Sequence, residues 1–232
     1  MIGVRVGMGR KPLIQRETVI RTAIEIADAD GPGSLSLERI AAALGVKAPS
    51  LYNHFSDKAE ILAGVARSIV METPRTPATV GGDWKQWLIE ASVRFRETLL
   101  KHSRAAPLVV EYFPRGLLEK LYAEHCRVLA AANVPTNYQM FILESTHRMT
   151  IGAAMCVATG RPAMAPFADP AQFDDQLNES MQQGNWSDAK LFTEMLRVFM
   201  DGVEADYSQR DILTEPKEPD STTYNYRNLI QG

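Results

Sequence analysis

The chain has 232 residues, 45 % of them hydrophobic, and a formal net charge of −3. That is enough apolar material for a small domain plus one well-packed partner domain, which excludes a disordered chain. No run approaches the ~20 apolar residues that a membrane helix needs, and no apolar stretch follows the charges of MIGVRVGMGRK, so no secretory signal is expected.

Cys126 and Cys156 lack a CxxC or an ordered His spacing, which points to reduced thiols in a cytoplasmic protein. The charge is unevenly spread. Residues 1–75 carry 10 Lys+Arg against 8 Asp+Glu, leaving 15 against 20 in the remainder. Arg5, Arg10, Lys11 and Arg16 precede any acid, which suits a basic arm touching phosphate, or a solubilising tail.

In chain order the periodicity predicts helices almost throughout. Ile14 to Asp30 places Ile20, Ala23, Ile24 and Ala27 on one face and stops at Gly31-Pro32-Gly33. Ser36 is a good N-cap for the next helix, with Glu38 in its first turn. Ser56 or Asp57 caps a longer helix, Lys58 to about Glu72. Thr73 to Gly82 holds two Pro and two Gly and marks a domain boundary.

Further helices are predicted at Asp83–Lys101, Arg104–Phe113, Gly116–Ala132, Asn137–Thr159, Pro170–Gln183 and Asp188–Tyr207. Gly160 to Asp169 reads as a loop, and from Ser208 the chain is a polar tail. With no period-2 alternation the fold class is all-α. The expected units are an arm (1–14), a small helical domain (15–72), a larger helical domain (83–207) and the tail (208–232).

The most informative stretch is Ser34 to Lys58, SLSLERIAAALGVKAPSLYNHFSDK. Leu37, Ile40, Ala41 and Leu44 share one helix face. Gly45 sits where a helix end wants positive φ, and Pro49 suits the first turn of a new short helix. There Leu51 and Phe55 point inward, leaving Lys47, Ser50, Tyr52, Asn53 and His54 outside. An exposed face of hydroxyl, amide, imidazole and phenol reads as a recognition helix.

This layout resembles the tetracycline-repressor (TetR) family of transcriptional regulators over roughly residues 15–70. The resemblance is carried by Leu44-Gly45-Val46, by Pro49-Ser50-Leu51-Tyr52-Asn53-His54-Phe55, and by Lys58. It implies a three-helix helix-turn-helix domain followed by a larger helical domain for ligand binding and dimerisation. It also implies a non-enzymatic homodimer on a palindromic operator in double-stranded DNA, released by a small-molecule effector, with no cofactor and no membrane contact. Beyond residue 75 the resemblance rests on helix count and length. Phe95 to Gly152 loosely resembles the ligand domain of the tetracycline repressors, but Val109 stands where those proteins would supply a metal-ligating His.

Groove chemistry assigns the roles. Lys47 can donate to guanine, and Ala48, Pro49 and Ser50 are small enough to meet a thymine methyl. Asn53 can pair with adenine or with phosphate. By resemblance Ser36, Tyr52, His54 and Lys58 contact phosphate and set register; His54 can equally brace the helix beside Phe55. Glu38 is repelled by phosphate unless it accepts from a cytosine amine.

The resemblance places dimerisation on the last long helices, where Met149, Ala153 and Val157 face Phe192, Met195 and Phe199; the same stripes also suit core packing. The aromatic and Met-rich middle of the second domain suits a cavity for apolar or aromatic molecules. Its candidate residues are Trp87, Phe95, Leu99, Val109, Tyr112, Phe113, Tyr122, Phe141, Glu144 and His147. Ligand there is expected to displace the helix beginning near Asp57. Two alternatives remain: a DNA binder without an inducer, and a helical-bundle metalloenzyme. Glu144 and His147 form an E-x-x-H pair, but the chain has no second copy.

Overall fold

Side-chain caps start the helices where the sequence places hydroxyls and carboxylates. Ser36 accepts from the Arg39 N–H, Asp57 from the Glu60 N–H, and Asp83 from the N–H groups of Lys85 and Gln86. The computed structural model describes residues 15–75, 77, 82–159, 174–183 and 186–209. The expected arm (1–14), the Gly160–Asp169 loop and the tail from residue 210 lie outside the described residues.

The helices are α1 (Arg16–Asp30), α2 (Leu37–Ala43), α3 (Lys58–Met71), α4 (Trp84–Lys101), α5 (Ala106–Glu111), α6 (Arg115–Ala131), α7 (Thr136–Ala158), α8 (Asp175–Gln183) and α9 (Asp188–Gln209). Short 3₁₀ helices occupy Pro32–Ser34 and Ala48–Asn53. Among the described residues there is no strand, so the all-α expectation holds. The recognition segment, expected as a short helix, is a 3₁₀ helix of six residues.

Two apolar clusters form the interior. The first joins Ile24 of α1, Ile40 of α2, Leu51, Phe55 and the α3 stripe Ile61, Leu62, Val65, Ala66 and Ile69 to Leu99, Leu108, Val109 and Ala154. It therefore runs past the expected boundary at 73–82 into α4, α5 and α7. The second lies around Leu88, Leu129, Ile142, Leu143, Phe192, Leu196 and Met200. Lys85 clamps α4 to α9 through Asp201 (2.8 Å) and Glu204 (2.6 Å), and these two carboxylates hold its ammonium well above the usual lysine range. Buried Arg96 reaches Asp188 and lies over the Phe192 ring.

The turn between α2 and the recognition segment is a Schellman motif. Val46 N–H donates to Ala41 C=O and Gly45 N–H to Ala42 C=O, with Gly45 at φ 66°. A Cβ on Gly45 would meet nothing within 4 Å, so the cost of a side chain there is backbone conformation alone. Gly45→Ala should lower unfolding free energy by about 1 kcal/mol in chemical denaturation; an unchanged midpoint would contradict this reading.

Candidate functional site

Two sites share α3, one at each end. The first is the surface formed by residues 36–58. Leu51 is 0 % exposed and Phe55 is buried, and together they anchor the 3₁₀ helix. Lys47, Pro49, Tyr52, Asn53 and Lys58 are exposed, Tyr52 at 57 %. Ser50 and His54 are half-buried. Ala48 packs partly against the core, so its methyl is less available than the sequence suggested. Ser36 accepts from Arg39 N–H and keeps its own O–H to donate.

Arg16, grouped by the sequence with the basic arm, belongs to the first turn of α1, and its half-exposed guanidinium donates to the His54 carbonyl and to Glu60 and lies over the Phe55 ring at 4.2 Å. Glu60 also accepts from Ser56 N–H (2.7 Å) and Oγ (3.1 Å). The Ser56 N–H, with Arg16 second, holds the Glu60 carboxyl down to about 2. This Arg16–Glu60–Ser56 brace fixes how the exposed residues are presented. Sequence reading missed it because it joins residues 44 positions apart.

The second site is a cavity of about 210 Å³ at the other end of α3. Val70, Met71 and Thr73 form one wall, and Trp87, Ala91, Ser92 and Phe95 of α4 another. Phe113, Leu121, Tyr122 and His125 close it from the α5–α6 side, and Leu143, Thr146, His147 and Thr150 from α7. Of the expected ligand residues, Trp87, Phe95, Phe113, Tyr122 and His147 line it. Glu144 reaches its edge by accepting from the Tyr122 hydroxyl at 3.2 Å.

Leu99 and Val109 are instead 1 % and 0 % exposed within the first core cluster, against which Tyr112 also packs. Phe141 is 51 % exposed on the outer face, its ring 5.8 Å from that of Phe199. Aromatic content marked the region, but the helix rotations decide which rings look inward. His125 and Thr146 line the cavity without having been expected there, Thr146 as a buried polar residue on a mostly apolar helix.

Both cavity histidines are sheathed in aromatic rings. His147 stacks on Phe95 (5.8 Å) and meets Phe113 edge-on (5.1 Å); His125 meets Trp87 edge-on at 4.8 Å. Burial pushes the His125 imidazole down to about 4 and lowers His147 as well. Among the described residues no three His, Cys, Asp or Glu side chains converge as a metal site. Glu144 pairs with Arg148 at 3.4 Å and with Tyr122, so the E-x-x-H pair does not open onto a carboxylate cluster.

Between the two sites lies a polar clamp. The buried His102 ring, just after α4, places Nδ1 2.7 Å from Asp28 of α1 and Nε2 3.0 Å from Glu72 at the end of α3. Lys101 also donates to Glu72, at 2.7 Å, and holds its carboxyl below the usual range together with His102.

A helix-turn-helix head on a helical body with an internal cavity defines a one-component DNA-binding regulator. The profile of bacterial regulatory proteins, tetR family, matches residues 19–65. The tetracycline repressor class C of Escherichia coli is 30 % identical over 200 residues, covering 84 % of this chain and 86 % of that protein. The chain belongs to the tetR family of bacterial regulatory proteins. A TetR variant of Acinetobacter baumannii AYE in complex with minocycline superposes with TM-score 0.68 at 21 % identity, covering 89 % of this chain and all of that one. BioQ with its double-stranded DNA operator superposes with TM-score 0.58 at 22 % identity, covering 83 % and 99 %. Among the described residues no helix is long and apolar enough to cross a membrane.

The lowered histidines have a consequence for stability. In the unfolded chain His125 takes up a proton near 6.5, whereas in the fold it does so only near 4. Between those values the unfolded state binds more protons, so stability falls as pH drops through this window and is unaffected above it. The loss from His125 should be on the order of 3 kcal/mol. His125→Phe should flatten that part of the pH–melting curve, and an unaltered curve would refute the assignment.

Proposed function

We propose that this chain is a homodimeric repressor released from a palindromic operator when a small apolar or aromatic molecule enters the α3–α7 cavity. The observation that carries this reading is the double use of α3. Its first residue, Lys58, stands beside the recognition segment, and its last turn walls the cavity. The relatives support it: one bears the name of a tetracycline repressor, and the structural neighbours hold minocycline or operator DNA.

The dimer face in this reading is the outer side of α7 and α9. Phe141, Met195 and Val198 are exposed there, with Met149, Ala153, Val157 and Phe199 half-buried. Phe192, 3 % exposed within the single chain, serves the intramolecular core. The working units are the head (15–72) and the ligand and dimer domain (83–207). Dimerisation doubles the phosphate contacts and sets the spacing of two recognition segments. Tyr52, His54, Lys58 and Ser36 hold phosphates, while Lys47, Pro49, Ser50 and Asn53 meet base edges. Ligand that pushes on Val70 or Thr73 strains the Glu72–His102–Asp28 clamp, and release follows if ligand favours the strained arrangement.

Fluorescence anisotropy with duplex from directly upstream of the coding region tests the core of this reading. Saturation at two subunits per specific site supports it; equal, salt-sensitive binding to scrambled duplex counts against that operator, and no binding at low salt sinks the regulator. Lys58→Ala should weaken all sequences and lower the salt slope by about one. His102→Phe fills the space but donates to neither carboxylate, so it should cost about 1–3 kcal/mol of stability. It should also shrink the ligand-induced change in DNA affinity.

A further inference from the structure

Two helices of the head end in acid with no basic residue of their own to offset it. α1 closes on Ala27-Asp28-Ala29-Asp30 and α3 on Met71, with Glu72 directly after, and neither has a cation in its last turn. A helix C-terminus already carries a partial negative charge and unpaired carbonyls, so acids there are unfavourable unless cations reach them from elsewhere.

Those cations come from four consecutive residues of the body, Lys101-His102-Ser103-Arg104, at the junction of α4 and α5. Lys101 donates to Glu72 at 2.7 Å, and the His102 ring lies between Glu72 (3.0 Å) and Asp28 (2.7 Å). Arg104 donates to the carbonyl of Ala29. Asp28 Oδ1 is buried without a partner, so the His102 contact is that carboxylate's one hydrogen bond among the described residues. The last acid, Asp30, pairs with Arg39 of α2 inside the head.

The backbone that carries these side chains is fixed to the body. Ala106 N–H donates to His102 C=O at 2.7 Å, and Ala105 and Ala106 are 0 % exposed. α5 then leads to Phe113 on the cavity wall. Arg104 itself is exposed and lies outside the cavity lining.

We propose that Arg104 is a positioning residue, which with Lys101 and His102 makes the α4–α5 junction a cationic clasp that fixes the angle of the head on the body. A head held along α3 alone can still pivot about that helix. Lys101 grips only the α3 end, His102 grips both ends, and Arg104 grips only α1, off the pivot axis. In the dimeric reading above, on which the consequence for DNA rests, this angle sets the separation of the two recognition segments.

Two measurements on the full chain test this. The first places nitroxides at Arg21→Cys of α1 and Glu119→Cys of α6, both exposed positions, in a Cys126→Ser, Cys156→Ser background. Diluted with unlabelled protein, the pair reports the head-to-body distance within one chain by pulsed electron resonance. Arg104→Gln should broaden the distance distribution. Arg104→Lys, which keeps a cation for Ala29 C=O, should restore its width.

In the second, the unaltered protein selects its site from a random duplex library. Fluorescence anisotropy then compares that duplex with one carrying an extra base pair at its centre. Arg104→Gln should reduce the preference for the selected spacing by about threefold to tenfold, with the salt slope unchanged.

Unchanged distances overturn the clasp, and so does a broadened distribution with the spacing preference intact. A salt slope lowered by about one makes Arg104 a phosphate contact and overturns its positioning role. A broadened distribution with no two-fold symmetric site selected leaves the clasp standing and sinks the dimeric operator reading.

Discussion

The apolar stripe of α3 is the constraint on which the rest depends. Ile61, Leu62, Val65, Ala66 and Ile69 are all buried, and α3 packs on α1 and on α5 at once. One helix therefore belongs to the core of the head and to the core of the body. Interiors packed this tightly do not deform smoothly, so α3 ties the cavity wall and the recognition segment to one packed element. A head on a flexible tether would leave the cavity and the recognition segment independent of each other.

Polar clamps hold the two ends of α3. At its start, the Arg16–Glu60–Ser56 brace ties the recognition segment to α1 and α3 as one body. At its end, Glu72 is shared between Lys101 and His102, and His102 also holds Asp28. The end brace lies between Met71 and Thr73, which wall the cavity. Charge-assisted contacts are directional and short-ranged, so they register small displacements that apolar packing would absorb. Repacking at the cavity wall is thus felt at α1 as well as α3.

The cavity shows the opposite use of polarity. Its histidines sit among aromatic rings, and burial pushes both imidazoles below their ordinary value. Holding such groups away from water disfavours their charged forms. The head carries its exposed polar face in water, where that cost is absent. This difference separates a site that reads a solvated groove from one that encloses its ligand.

Much of the fold was legible in the sequence because it depends on near neighbours. Helix spans, the Ser36 and Asp57 caps, the positive φ of Gly45 and the inward pair Leu51 and Phe55 all follow from patterns within a few residues. The outward face of Tyr52 and Asn53 followed from the same periodicity. The cavity was legible only as a region. That Leu99 and Val109 pack inward while His125 and Thr146 line it depends on the rotation of each helix against its neighbours, which no local pattern encodes. The brace that Arg16 makes could not be read locally because its partners lie 38 and 44 residues away, and His102 meets Asp28 across 74. Local periodicity determined the helices and their caps; the pairing of distant charges and the choice of cavity walls were decided by tertiary packing, because only packing brings those groups within bonding distance.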